Sequence, residues 1–319
     1  MREKRQPALF LNPVFKQMIW GGNRLGTEWK YQIPGDHVGE CWAVSARQGG
    51  DCTVKNGIYK GYTLSELWEK KPELFGNMGL DRFPLLIKIL DAKKDLSIQV
   101  HPDDTYANLH ENGSLGKAEW WYVLDCPENA EMVFGHNARN KEELSDMINN
   151  GRWKEFIRKI SVKKGDIIQN EPGTVHAITA GLLLLEVQQN SDITYRVYDY
   201  DRLSDGKLRQ LHIKESLDVI TVPARPEAEC REKTDGLPQN KLNLLISCEF
   251  YKIWKLDITT PFVMKQDQPF MIMSVIEGEG LIDGQKIQKG DHFILPAEYG
   301  EAYLQGNMQI IISTCNPEK

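Results

Sequence analysis

The stretch Lys163–Ile178 reads KKGDIIQNEPGTVHAI, and a second version of it, QKGDHFILPAEYGEAYL, stands at Gln288–Leu304. Both run in the same order: a basic residue, Gly-Asp, a β-type run, a Pro, a Gly and a second β-type run. Gly-Asp followed by a strand and a Pro-Gly corner is what a tight antiparallel barrel needs at its turns. Such turns also accumulate by chance in all-β chains, but several features repeated in order point to a duplication. The copies differ where chemistry would sit. The first has His176 in its second run; the second has Glu301 and Ala302 there, and its one histidine, His292, directly follows Gly-Asp. A metal-competent barrel is therefore expected over about residues 1–222 and a metal-free one over 240–319. The Pro-rich, polar segment 223–239 is read as their linker.

The rest of the chain fits a mainly β fold with a small helical portion. Short β-type runs recur between Gly, Pro, Asn and Asp, among them Phe83–Leu90, Leu96–His101, Glu119–Asp125, Leu182–Gln188 and Ile193–Tyr200. Helical insertions are expected at about 63–76, 103–112 and 140–157, with one more at His212–Ile220.

Composition narrows the function. The 319 residues carry a net charge of −6, which excludes a general nucleic-acid binder but leaves room for a local basic pocket. The six cysteines form no CxxC pair, and the start of the chain has no apolar signal-peptide core. They are expected to be reduced thiols in a soluble, cytoplasmic protein without a membrane span.

Four segments can carry chemistry. In LSIQVHPDD (Leu96–Asp104), alternation puts Ser97, Gln99 and His101 on one face, successive members about 7 Å apart. In GKAEWWYVL (Gly116–Leu124), Lys117, Glu119 and Trp121 share a face, and a Glu there is costly to bury unless paired or bound to a cation. A plain Lys117–Glu119 pair on a solvated face is the ordinary alternative. PGTVHAI (Pro172–Ile178) adds His176. If these strands converge, two imidazoles, a carboxylate and an amide oxygen make a site for Zn²⁺, Mn²⁺ or Fe²⁺. In LLLLEVQQNSDITYRVYDYDR (Leu182–Arg202), Arg196 needs an anion if buried, either a substrate or Glu186. Lys88 is the lone charge in PLLIKILDA; it either snorkels to a rim or joins Lys117 and Arg196 in a clamp for phosphate or sugar oxygens.

These blocks, with KQMIWGGNRLG and GECWAVS near the N-terminus, resemble the type I phosphomannose isomerases, a branch of the cupin superfamily. The resemblance covers most of residues 10–220 and, more loosely, the C-terminal barrel. It implies two cupin-type jelly-roll barrels in the compact bacterial form, without the large helical domain of fungal and animal members. It implies one zinc ion per chain on Gln99, His101, Glu119 and His176, an active-site Arg196, and a pocket lined by Trp20, Lys88, Ser97, Lys117 and Glu186. The implied reaction interconverts mannose 6-phosphate and fructose 6-phosphate, with a sugar phosphate as the only partner of a monomer. Glu186 is the first choice for the proton-moving base. An iron-dependent cupin oxygenase and a non-catalytic sugar-binding cupin are the competing readings. The mixed ligand set and nearby cations count against the first, and the intact ligand set with Arg196 against the second.

Overall fold

The computed structural model describes residues 6–232 and 236–316, so part of the expected linker, residues 233–235, lies outside it. The two motif copies fold into the same turn. Asp166 Oδ2 accepts the Lys163 N–H at 3.0 Å, and Asp291 Oδ2 accepts that of Gln288 at 2.9 Å. Gly165 and Gly290 both sit at φ +90°, a conformation costly for any side chain. Their N–H groups donate to the Val123 and Val275 carbonyls at 2.8 and 2.9 Å. From each turn a strand runs antiparallel to an earlier one: Ile167–Asn170 along Glu119–Asp125, and His292–Leu295 along Met271–Ile282.

The first copy belongs to a sandwich of two antiparallel sheets. The seven-stranded sheet runs in the order 231–232, 167–170, 119–125, 183–189, 85–91, 38–44, 14–22. The five-stranded sheet runs 195–198, 98–100, 176–177, 131–136, 157–161. Between them lies a core that includes Trp121, Val123, Phe134, Ile168 and Leu184. Side chains of opposite parity leave the sandwich. Trp120, Tyr122, Leu185 and Val187 pack with Tyr251, Ile253, Ile272 and Ile311 of the C-terminal barrel. Ile98, Val100, Val175 and Ala177 meet the helix Lys141–Asn149 through Leu144, Met147 and Ile148. Alternation thus reserves one face of each strand for the interior where chemistry can sit.

The second copy belongs to a nine-stranded sheet whose interior is filled by Phe10, Met264, Met273, Phe293, Leu304 and Ile310, among others. Two boundaries differ from the sequence reading. Strand Leu9–Asn12 pairs with His292–Leu295 and so completes the C-terminal sheet, although it precedes the first barrel in the chain. Arg231–Glu232, inside the expected linker, pairs with Ile167–Asn170 of the first barrel. The helix expected over 140–157 is two pieces, Lys141–Asn149 and Trp153–Phe156, separated at Gly151 with φ +64°. At Ile157 the chain enters a strand, because Ile157–Ser161 pairs with Glu131–His136.

His292 ties the N-terminal region to the second barrel. The Tyr31 hydroxyl donates to the Gly290 carbonyl at 2.8 Å, which leaves its oxygen to accept from His292 Nε2 at 3.0 Å. Nδ1 then accepts from Ser274 Oγ, also at 3.0 Å. Burial pushes this imidazole down to about 4, so it folds neutral. The unfolded chain therefore takes up the proton first. The contribution is complete above about pH 6.5 and is lost as pH falls toward 4, by at most about 3 kcal/mol. Urea midpoints of wild type and His292→Gln should differ most near neutrality and converge near pH 4; a gap independent of pH would contradict the assignment.

Candidate active site

Strand register builds the site. Gln99 lies opposite His176 on one neighbouring strand and opposite Arg196 on the other. In the facing sheet Glu119 lies opposite Asn170 on one side and Gln188 on the other, while Glu186 lies opposite Lys88 and Trp121. The interior face of each sheet therefore collects these polar side chains at one end of the sandwich.

Three of the predicted ligands converge. The ligand atoms of His101, Glu119 and His176 all lie within 4.8 Å of one another, and each residue is 1% exposed. His101 Nδ1 sits 2.7 Å from the Ile193 carbonyl and His176 Nδ1 2.9 Å from that of Thr174. A carbonyl only accepts, so each Nδ1 carries the proton and each Nε2 keeps its lone pair. Burial lowers both imidazoles, His176 to about 3, which keeps them neutral as a metal requires. Burial alone would raise the Glu119 carboxyl, but the neighbouring Lys117 ammonium outweighs it and holds the group well below the usual carboxylate range. Glu119 Oε2 accepts from Asn170 Nδ2 at 2.6 Å. Oε1 takes no directed hydrogen bond, although Lys117 Nζ lies 2.7 Å away and His101 Nε2 3.2 Å. Two free imidazole lone pairs and an unsatisfied carboxylate oxygen, with no thiolate among them, are a donor set suited to a divalent cation. Among the described residues no second such group of His, Cys, Asp and Glu occurs.

Beside this cluster is a cleft of about 200 Å³ lined by Trp20, Lys88, Ser97, Gln99, Lys117, Glu186 and Arg196, all seven taken from the sequence reading. A larger cavity of about 550 Å³, near Arg225 and Glu249, is lined by none of the predicted site residues. Lys88 does not snorkel: it is 5% exposed, and its Nζ lies 3.2 Å from Glu186 Oε1 and 3.9 Å from Glu40. Burial alone would lower its pKa, but Glu40, Glu186 and Glu119 together hold it above its ordinary value. Arg196 makes no ion pair with Glu186. Its Nη1 donates to the Gln210 carbonyl at 2.8 Å and its Nε has no partner. Burial and the neighbouring Arg209 lower its pKa.

Residues 9–161 match the catalytic domain of type I phosphomannose isomerases, and residues 240–315 match the mannose-6-phosphate isomerase cupin domain. The chain is 51% identical to mannose-6-phosphate isomerase ManA of Bacillus subtilis, covering 96% of this chain and 98% of that one. The chain belongs to the type I phosphomannose isomerase family. It is also 45% identical to a mannose-6-phosphate isomerase of Streptococcus mutans, over 97% of this chain and 98% of the relative. A crystal structure of the Bacillus subtilis mannose 6-phosphate isomerase superimposes with a TM-score of 0.93 at 48% identity, covering 97% of this chain and all of that one.

The three cations read from sequence, Lys88, Lys117 and Arg196, all line this cleft. Lys117 and Lys88 are held by Glu119 and Glu186, because buried ammonium groups need anionic partners. The guanidinium of Arg209 also lines the cleft beside Arg196 and is held by Asp199 through Nε at 2.7 Å. Sequence reading missed Arg209, Glu40 and Asn170, since each reaches the site through a pairing that local pattern does not encode. His176→Ala should bind no metal in equilibrium dialysis at stoichiometric zinc, while Arg196→Ala binds as wild type does. Retention by His176→Ala would contradict the site.

Proposed function

We propose that this chain interconverts mannose 6-phosphate and fructose 6-phosphate in the Lys88–Arg196 cleft, with one zinc ion per chain beside it. The observation that carries the reading is the joining of a neutral-imidazole and carboxylate donor set to an unpaired guanidinium through a single residue, Gln99. Gln99 Nε2 lies 3.2 Å from His176 Nε2, so turning the amide over brings its oxygen to the same spot as a fourth donor. Gln99, His101, Glu119 and His176 would then hold the ion, which supplies Lewis acidity toward a substrate carbonyl when bound.

The remaining steps belong to the chain's own groups. Trp121 Nε1 donates to Glu186 Oε2 at 3.0 Å and fixes the carboxylate, while Oε1, 3.2 Å from Lys88 Nζ, takes no directed hydrogen bond. Burial, then the charge of Glu119, raises the Glu186 carboxyl above its usual value, which suits a general base. Glu186 takes the proton from C2 of the open-chain aldose, leaving a cis-enediolate with its charge on O1; the O2 hydroxyl proton passes to O1, and protonated Glu186 returns its proton to C1 as the C2 carbonyl forms. Lys88 stays an ammonium beside it and offsets its charge. Arg196 directs a guanidinium at the oxygens where negative charge develops, and Arg209 adds to the same positive field.

The reading extends to a cytoplasmic monomer. All six cysteines are free thiols, as a reducing compartment requires. No helix among the described residues is long and apolar enough to cross a membrane.

In a coupled assay on mannose 6-phosphate, turnover should vanish on chelation and return with zinc. Glu186→Gln should keep its metal and lose about 10²–10⁴-fold in kcat, the usual worth of a positioned base. For wild type, kcat/KM should fall with pH through a value above that of an ordinary carboxylate, because only ionised Glu186 accepts the proton. A zinc-loaded protein without turnover would overturn the isomerase reading, and a Glu186→Gln variant of near wild-type rate would overturn the role of that residue.

A further inference from the structure

The segment QQNSDI, Gln188–Ile193, buries four consecutive polar side chains that the reaction does not use. Gln188 and Ser191 are fully buried, Gln189 and Asn190 are 4% exposed, and none of the four lines the cleft. Burying such groups costs free energy unless each meets a partner. Gln188 Oε1 has no hydrogen-bond partner among the described residues, and the bonds that the segment does make share a pattern.

Gln188 Nε2 donates to the carbonyls of Gln189 and Ser191 at 2.8 and 2.6 Å, closing the segment on itself. Asn190 Nδ2 donates to the Phe83 carbonyl at 2.6 Å, and Arg47 Nη1 donates to the Asn190 carbonyl at 2.8 Å, fastening it to its surroundings. The closed segment ends on the Ile193 carbonyl, the group that accepts from His101 Nδ1 at 2.7 Å. At its other end Gln189 clamps one residue, Ala118, through the peptide groups on both sides of it. Its N–H donates to the Ala118 carbonyl at 3.1 Å, and its Oε1 accepts the Ala118 N–H at 2.9 Å. Ala118 directly precedes Glu119.

We propose that Gln188–Ile193 is a positioning loop for the metal site, in which buried amides hold the carbonyl that sets the His101 tautomer and the peptide that aims Glu119. The inference rests on the metal reading above. The four buried polar side chains line neither the cleft nor the metal cluster, although Asp192 of the same loop lines the cleft; they act through the orientation of two ligands. Outer-shell partners of this kind are typically worth 10–100-fold in metal affinity. Gln188 is the critical member, since its two donor bonds replace those that a regular strand would have made.

The test uses the cobalt-loaded protein. Gln188→Met keeps the side-chain length and removes both donors. Its cobalt Kd, measured by chelator competition, should rise about 10-fold or more over wild type, and the visible ligand-field bands should shift. A folded Gln188→Met with wild-type Kd and bands would overturn the proposal, even with a lowered Tm, because a purely structural role moves Tm alone. If Gln188→Met does not fold, Gln189→Met decides in the same way through loss of the Ala118 clamp. Wild-type protein that binds no cobalt would overturn the metal reading, and this inference with it.

Discussion

The interaction on which the molecule depends is the burial of the Glu119 carboxylate among Lys117, His101 and His176. A charged carboxylate 1% exposed is unstable without opposite charge and hydrogen bonds close by. Removing one partner of such a buried pair typically costs about 3–5 kcal/mol. The chain meets the requirement in two ways. Lys117, two residues away, lies 2.7 Å from the carboxylate, and Asn170 donates from the neighbouring strand, while both neutral histidines face it from the opposite side of the sandwich. The site therefore joins the two sheets of the sandwich. A cation bound there stabilises the folded chain as well as equipping it, since it binds the assembled site and not the unfolded chain.

The same interior holds a second buried carboxylate in a different electrical setting. Glu119 is pulled well below the ordinary range by Lys117. Glu186 is pushed up by burial and by Glu119, and Lys88 only partly offsets this. Two like groups whose environments drive their acidities apart suit the two roles proposed for them, one ionised as a ligand and one exchanging a proton. Outside this pair, Arg196 lacks a carboxylate partner while Arg202 and Arg209 share Asp199, so the rim carries excess positive charge on a chain of net charge −6. The bulk charge of the protein and the charge of its cleft have opposite signs.

Much of this was legible in the sequence. Period-two alternation sorted Ser97, Gln99 and His101 from Ile98 and Val100 before any fold was known, because a strand admits no other arrangement of its faces. The KGD repeat marked two turns that share each hydrogen bond cited for them. What stayed hidden depends on partners remote in the chain. Nothing local shows that Leu9–Asn12 completes the sheet of the second barrel, that Lys88 pairs with Glu186, or that Asn170 holds Glu119. The break at Gly151 was hidden for the opposite reason: helix-like spacing continues through it, while tertiary pairing of Ile157–Ser161 overrides that spacing.

The central claim is that one divalent metal sits on the donors Gln99, His101, Glu119 and His176 and that the second barrel holds none. X-ray absorption at the zinc edge of the zinc-loaded protein, with anomalous diffraction from its crystals, tests this directly. The account predicts a single anomalous peak between His101 and His176, with nitrogen and oxygen neighbours at about 2.0–2.2 Å and no sulfur. A sulfur shell, or a peak inside the C-terminal barrel and none at Glu119, would contradict it.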